Sequence, residues 1–147
     1  MVRVQVINAH TGHRLRKRPI AGYVRRVLRE EEIQQADLKI VCIGSRCSRG
    51  LNREYLGHDY VTDVISFPLE RGVHVEGEVY VNLDRARSQA REYGVSFRNE
   101  VARLAIHGTL HLAGYDDTGT MDARRMKKRE EEHLRFWFPN VKEDRIR

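Results

Sequence analysis

The sequence predicts a single α+β domain in which helices pack on a four-stranded β-sheet. Four short strand patterns fall within the first 82 residues, and longer helical patterns dominate the remainder. The chain has 147 residues, a length typical of one domain with its own hydrophobic core. No internal repeat, linker or low-complexity segment divides the sequence, so we expect one domain over residues 1–147.

The strand patterns either alternate apolar and polar residues or form short apolar runs between turn residues. They lie at residues 2–7, 38–44, 61–67 and 77–82. Pro68 is expected to end the third strand, because proline cannot donate a hydrogen bond to a neighbouring strand. Residues 71–76 are expected to form an exposed connection.

About five helices are predicted from the spacing of apolar side chains and from capping residues. They lie at residues 18–32, 45–55, 83–93, 97–113 and 121–136. Ser96 is a favourable N-cap for the fourth helix. Trp137, Phe138 and Pro139 are expected to pack the end of the last helix, and residues 140–147 to fray.

The net charge of +6 is concentrated in the two ends of the chain. Eight Lys and Arg against three Glu give residues 1–32 a charge of +5, and residues 118–147 carry +3. A partner with a phosphate backbone is the natural explanation, because Lys and Arg supply most of the non-specific affinity for nucleic acid. A heavily charged, solvated surface of the kind found in heat-adapted proteins is the alternative.

The sequence contains no sign of export or membrane insertion. No apolar run approaches the ~20 residues that a membrane span needs, and the N-terminus lacks the pattern of a signal peptide. We therefore expect a cytoplasmic protein that does not associate with a membrane. Cys42 and Cys47 are too few for a disulfide framework; we expect Cys42 to be buried and reduced, and assign neither cysteine to a metal.

The chemistry is expected to centre on the segment from His107 to Asp117. His107 and His111 are four residues apart, so on a helix both imidazoles leave from one face and can bind one metal ion, ordinarily zinc. Gly114 ends the helix, and the turn brings Asp117 back as a possible third ligand. Three protein ligands and one open position are typical of a catalytic rather than a structural zinc site.

Two histidines at this spacing also arise by chance, and a lone histidine on an apolar face is usually a satisfied core residue. The glycine and the acidic residue that follow the pair strengthen the metal hypothesis. Gly108 strengthens it too: a glycine inside a helix costs about 1 kcal/mol relative to alanine, which indicates that something approaches closely there.

The segment HGTLHLAGYD, at residues 107–116, resembles the motif of the YbeY family of bacterial endoribonucleases and rRNA maturation factors. The similarity continues at residues 51–55 (LNREY), 62–68 (TDVISFP) and 77–79 (GEV), and includes Met126 and Glu130. Two positions depart from the family pattern. Asp117 stands where the family carries a third histidine, and Leu56 stands where it carries an arginine.

The resemblance implies a mixed sheet with a metal site in a cleft. It also implies a zinc-dependent hydrolase that cuts single-stranded RNA, matures the 3′ end of 16S rRNA and acts in ribosome quality control. The expected partners are rRNA and the ribosome or its small subunit, and no small-molecule cofactor is expected. His107, His111 and Asp117 are the predicted ligands; because Asp117 is a carboxylate, Mn²⁺ or Mg²⁺ is an alternative to zinc. Asp116 could instead be the ligand, but the family pattern places the third ligand at Asp117, so Asp116 is expected to be a turn residue or a support for a ligand.

The predicted catalytic residues are His107, His111 and Arg53. Arg53 is the candidate replacement for the missing family arginine, because it lies three residues before Leu56 on the same predicted helix. Arg46 and Arg49 are alternatives, and all three could be plain surface charges. Ser66 could support substrate or form the cleft wall. His58 and His133 have no companion at metal-ligand spacing and are expected to be ordinary surface residues.

Two other function classes compete with the nuclease. The spacing His-x-x-x-His-x-x-Gly-x-x-Asp also resembles a metzincin protease site, but such proteases need a glutamate directly after the first histidine, where this chain has Gly108. The other alternative is a non-catalytic rRNA-binding assembly factor that uses its metal structurally.

Overall fold

Strands and helices are interleaved in the first half of the chain, and helices alone follow. The computed structural model describes residues 1–140. The elements are β1 (Val2–Asn8), α1 (Lys17–Glu30), β2 (Gln35–Ile43), α2 (Ser45–Leu51), a π-helical segment (Asn52–Leu56), β3 (Val64–Glu70), β4 (His74–Asn82), α3 (Leu83–Tyr93), α4 (Phe97–Leu112) and α5 (Thr120–Trp137). The predicted α+β fold class, with four strands and five α-helices, is confirmed. Residues 141–147, most of the predicted frayed tail, lie outside the described part.

The four strands form one mixed sheet in the order β1-β2-β4-β3. β1 and β4 both run parallel to β2, whereas β3 and β4 form an antiparallel pair. Side chains alternate between the two faces, so one face carries the buried Leu38, Ile40 and Val79. The other face carries polar side chains such as Lys39 and Glu78, and there the ring of Tyr55 from the π-helical segment packs against Phe67.

Cys42 belongs to the buried face of β2. It is fully buried and reduced, as predicted, and burial raises the pKa of its thiol to about 12. Cys47, on α2, is exposed.

The structure corrects two element boundaries at the sheet edge. β3 continues through Pro68 to Glu70, and β4 begins at His74 within the predicted connection. Proline is tolerated here because β3 is an edge strand, so one side of its backbone has no neighbouring strand to bond. The pairing with β4 is irregular between Pro68 and Glu70, where the outer end of the hairpin departs from regular alternation.

Helix α4 is the centre of the helical layer, buried around most of its circumference and packed against α1, α3, α5, β3 and β4. Ser96 caps it as predicted, its Oγ accepting from the Asn99 N–H at 3.0 Å. Gly108 does mark a close approach, but the approaching group is the sheet. A Cβ on Gly108 would lie 2.4 Å from Cγ1 of Val79, so only glycine lets α4 rest this close to β4.

The expectation that His133 is a surface residue is wrong. It is 1% exposed on α5, where its Nε2 lies 2.8 Å from Oε2 of Glu31 and its Nδ1 lies 3.1 Å from Arg26 of α1. Tyr115 and Arg129 also donate to Glu31, each at 2.6 Å. No local sequence pattern indicates the contact between His133 and Glu31, because the two residues are 102 positions apart. The cluster joins the end of α1 to α5.

None of the helices within residues 1–140 combines the length and the apolar character that crossing a membrane requires.

Gly108→Ala should destabilise the fold by about 1–3 kcal/mol, the usual effect of forcing a methyl group into a packed interface. Urea unfolding measures the change. Gly50→Ala is the matched control, because a Cβ at Gly50 meets nothing within 4 Å; it should be neutral or stabilising by up to about 1 kcal/mol. Equal stability changes for the two variants would contradict the packing role of Gly108.

Stability should fall as the pH drops from 7.5 to 5.5, partly through His133. Burial, together with the charges of Arg129 and Arg26, lowers the pKa of His133 in the fold. The unfolded chain therefore takes up a proton below about pH 6.5 that the folded chain resists, which favours unfolding. Above pH 5 Glu31 stays ionised: burial raises its pKa, but bonds from Tyr115, His133 and Arg129 outweigh that effect and lower it.

His133→Gln should show a weaker pH dependence than the wild type in urea unfolding at the two pH values. An identical pH dependence for variant and wild type would contradict this assignment.

Candidate metal centre and its cleft

The last turns of α4 place His107 and His111 on one side of the helix. Gly114, with φ of 108°, reverses the chain, and the N–H groups of Gly114 and Tyr115 bond the carbonyls of His111 and Leu110. Oδ1 of Asp116 then accepts from the backbone N–H of Asp117. Asp116 is therefore the turn residue, as expected.

That turn brings Asp117 back to the histidines. Its Oδ2 lies 3.4 Å from Nε2 of His111 and 3.9 Å from Nε2 of His107. One donor atom from each of the three residues lies within 4.8 Å of the other two. Two imidazole nitrogens and a carboxylate oxygen at this spacing fit around a divalent cation. In zinc sites each such ligand atom lies about 2.0–2.2 Å from the ion. The structure thus brings together all three predicted ligands.

The orientation of His107 is fixed from behind by α5. Oε1 of Glu130 lies 2.6 Å from its Nδ1. Because a carboxylate can only accept, the proton of the neutral ring lies on Nδ1, and the lone pair of Nε2 faces His111 and Asp117. A carboxylate behind a ligating histidine is the usual arrangement in metal sites.

A buried ion network extends from Glu130 into the protein. Arg103, 1% exposed, donates to Glu100 at 2.6 and 2.9 Å and to Glu130 at 3.2 Å, and lies 3.6 Å from Asp63. Gln89 bridges Glu100 and Asp63. Burial lowers the pKa of Arg103, but Glu100, Glu130 and Asp63 outweigh that effect and raise it. Arg103 thus links three carboxylates behind His107, and one of them, Glu130, contacts the ring of His107 directly.

The three predicted ligands line a cleft of about 380 Å³ between α4 and the segment from Asn52 to Ser66. Ser66 lines the cleft wall, where its hydroxyl donates to the Gly108 carbonyl at 3.2 Å. Leu56, which occupies the position of the family arginine, also lines the cleft.

Arg53 lies on the π-helical segment but does not line the cleft. Its side chain is 63% exposed and pairs with Asp59 at 3.0 Å. Arg49 pairs with the same carboxylate at 2.8 Å. The catalytic role of Arg53 stays a prediction, and the structure places it in a charged group beside the cleft.

A second His–His–Asp group differs from the first in its hydrogen bonds. Nε2 of His10 and of His13 lie 2.8 and 3.4 Å from Oδ1 of Asp84. The Gly12 N–H donates to Nδ1 of His10, and Arg87 donates to Nδ1 of His13. Each neutral ring therefore carries its proton on Nε2, where a metal would have to bind. This group is a hydrogen-bonded clasp between the β1–α1 loop and α3.

Comparison with known proteins agrees with the resemblance in the sequence. Residues 5–137 match the family described as endoribonuclease YbeY. The endoribonuclease YbeY of Chlorobium luteolum is 46% identical over 115 residues, which cover 78% of this chain and 84% of the relative. That of Chloroherpeton thalassium is 36% identical over 133 residues, covering 90% and 94%.

The chain belongs to the endoribonuclease YbeY family.

A solved relative has the same fold. The solution structure of TM1509 from Thermotoga maritima is 28% identical, covers 96% of this chain and 95% of its own, and aligns with a TM-score of 0.62. The YbeY resemblance predicted from the motifs is thus confirmed, together with the fold it implied.

Several residues around the cleft were not found by sequence reasoning. Glu130 was noted only as a position that fits the YbeY pattern, and its bond to His107 has no local sequence signal. His58 was interpreted as an ordinary surface residue; it is exposed, but it lines the cleft beside Tyr60. Asp63 belongs to both the cleft and the buried network.

Arg103→Met should destabilise the protein by about 3–5 kcal/mol, because it leaves buried carboxylates without their cation. Arg103→Lys keeps the charge and should cost less. Arg91→Met, on an exposed position in the last turn of α3, is the control and should stay within about 0.5 kcal/mol of the wild type. Chemical unfolding tests all three, and a change for Arg103→Met no larger than the control would contradict the network's role.

Proposed function

We propose that this chain is a zinc-dependent endoribonuclease that cuts single-stranded RNA in the cytoplasm and takes part in maturing the 3′ end of 16S rRNA. Its relatives are named endoribonucleases. The observation that carries the proposal is the arrangement of His107, whose Nδ1 is held by Glu130 while its Nε2 faces His111 and Asp117 in an open cleft.

His107, His111 and Asp117 would hold the ion. A bound zinc would supply Lewis acidity, polarising a phosphoryl oxygen and lowering the pKa of a water molecule. Three ligands leave the open position that this chemistry needs. Asp117 adds a negative charge where the YbeY pattern has a neutral histidine, which makes Mn²⁺ and Mg²⁺ the alternatives to test.

Charges outside the cleft support a nucleic-acid substrate. Arg49 and Arg53 share the single carboxylate of Asp59, so the three side chains carry a net charge of +1 beside the cleft. We propose that Arg53 uses this charge to hold the scissile phosphate, since a fixed cation stabilises charge that develops on phosphoryl oxygens. The basic ends of the chain would add non-specific affinity for rRNA and for the small ribosomal subunit.

The packing of Gly108 argues against the peptidase alternative. A metzincin-type protease needs a glutamate at this position as general base. Even a Cβ there would lie 2.4 Å from Val79, so the helix rests on the sheet where that base would have to project.

The test is cleavage of an end-labelled fragment from the 3′ end of precursor 16S rRNA by zinc-, manganese- or magnesium-loaded protein. Wild type should cut, and His111→Ala should lose more than about 100-fold in rate, since even outer-shell residues are worth about 10–100-fold. His10→Ala, from the hydrogen-bonded clasp, is the matched control and should cut as wild type. Bound metal, measured by mass spectrometry, should fall from one ion per chain only in His111→Ala.

Equal cleavage by wild type and His111→Ala would refute the proposal. If neither cuts while both bind the RNA, the protein is an assembly factor. Loss of metal in His10→Ala would show that the clasp, rather than the cleft, holds the ion.

A further inference from the structure

Two aromatic rings stand stacked at the mouth of the cleft. His58 and Tyr60 have ring centroids 5.0 Å apart and ring planes within 14° of parallel. Tyr60 is 52% exposed, so much of its ring is open to solvent. Both residues line the same cleft as His107, His111 and Asp117. An exposed aromatic ring that borders a cleft is available for contact with a ligand.

The loop that carries the rings is held at each of its residues. Gly57, with φ of 69°, ends the π-helical segment, and the His58 N–H bonds the carbonyl of Asn52 at 3.0 Å. Arg49 and Arg53 both donate to the Asp59 carboxylate and lower its pKa to about 2, so the carboxylate in this clamp stays ionised at neutral pH. The buried side chain of Asn52 donates to the carbonyl of Tyr60 at 3.0 Å.

These bonds hold the backbone that carries the rings, and the two rings stack on each other, which matters for binding. A side chain that is already ordered loses less conformational entropy when a ligand stacks on it. The clamp also leaves a net charge of +1 on Arg49, Arg53 and Asp59 next to the rings. An aromatic surface beside excess positive charge fits a ligand that has both a flat base and a phosphate.

We propose that Tyr60, backed by His58, is a stacking platform that takes an unpaired RNA base beside the metal ligands and so selects single-stranded substrate. The inference rests on the proposed RNA-cleaving function and specifies how that site recognises its substrate. Bases in a duplex are already stacked on their neighbours and cannot reach a side chain at the mouth of a cleft, whereas bases of single strands can be splayed onto aromatic rings. Stacking is available to every base, so the platform selects strandedness rather than sequence.

The test is equilibrium binding, which does not depend on cleavage. Fluorescence anisotropy with a labelled single-stranded oligoribonucleotide, in chelator so that nothing is cut, compares wild type, Tyr60→Ala, Tyr60→Phe and Phe136→Ala. Tyr60→Ala should weaken binding roughly tenfold, and Tyr60→Phe, which keeps the ring, should bind as wild type. Phe136 is an exposed aromatic residue on α5, outside the cleft, and is the matched control. Circular dichroism melts verify that each variant is folded.

A blunt-ended duplex RNA of the same length supplies the second arm, in which Tyr60→Ala should bind like wild type. 2-Aminopurine placed in the single strand should be quenched on binding by wild type but not by Tyr60→Ala. Equal single-strand binding by Tyr60→Ala and wild type, an equal loss on duplex, or no single-strand binding by wild type would each overturn the platform. The proposed function can fail separately. In that case the zinc-loaded protein leaves the RNA intact in the cleavage assay, while Tyr60→Ala still binds single strands more weakly than wild type.

Discussion

The contact between α4 and β4 at Gly108 is the constraint on which the site depends. Because Gly108 has no side chain, the helix lies directly on Val79 and its two flanking turns are held at a fixed height above the sheet. His107 precedes Gly108 by one residue and His111 follows it by three, so the contact also sets the height of both imidazoles above the sheet. A helix displaced from the sheet by a methyl group would carry both ligands away from the cleft wall formed by β3.

Behind α4, buried charged side chains rather than apolar packing orient His107. Arg103 contacts Glu100, Glu130 and Asp63, and Glu130 connects this network to the cleft through its bond to His107. Such a network stabilises less than its many contacts suggest, because every charge in it has lost its water. The network instead orients the imidazole of His107: it selects the tautomer of that ring and favours a cation in the cleft.

The sequence was sufficient for features governed by local rules. The His107–His111 spacing, the Gly114 helix end and the Ser96 cap each depend on residues within one or two turns, and all three were predicted. The predictions that were wrong involve long-range contacts. His133 has no neighbour in sequence that would indicate burial, and its partner Glu31 is 102 residues away. Local rules predict that Pro68 ends the third strand. β3 nevertheless continues to Glu70, because β3 is an edge strand and an edge strand tolerates proline.

The two His–His–Asp groups show why ligand type and proximity are insufficient to define a metal site. In both groups the three candidate ligand atoms lie within 4.8 Å of one another, but the groups differ in what faces the far nitrogen of each ring. Behind His107 stands an acceptor, Glu130, which draws the proton to Nδ1 and frees Nε2. Behind His10 and His13 stand donors, the Gly12 N–H and Arg87, which force the proton onto Nε2. A metal at the clasp would have to displace that proton and turn Nδ1–H against another donor, whereas a metal at the cleft meets a lone pair already in place. The partner behind each ring therefore distinguishes the two clusters, and the one behind His107 comes from a distant element of the fold, helix α5.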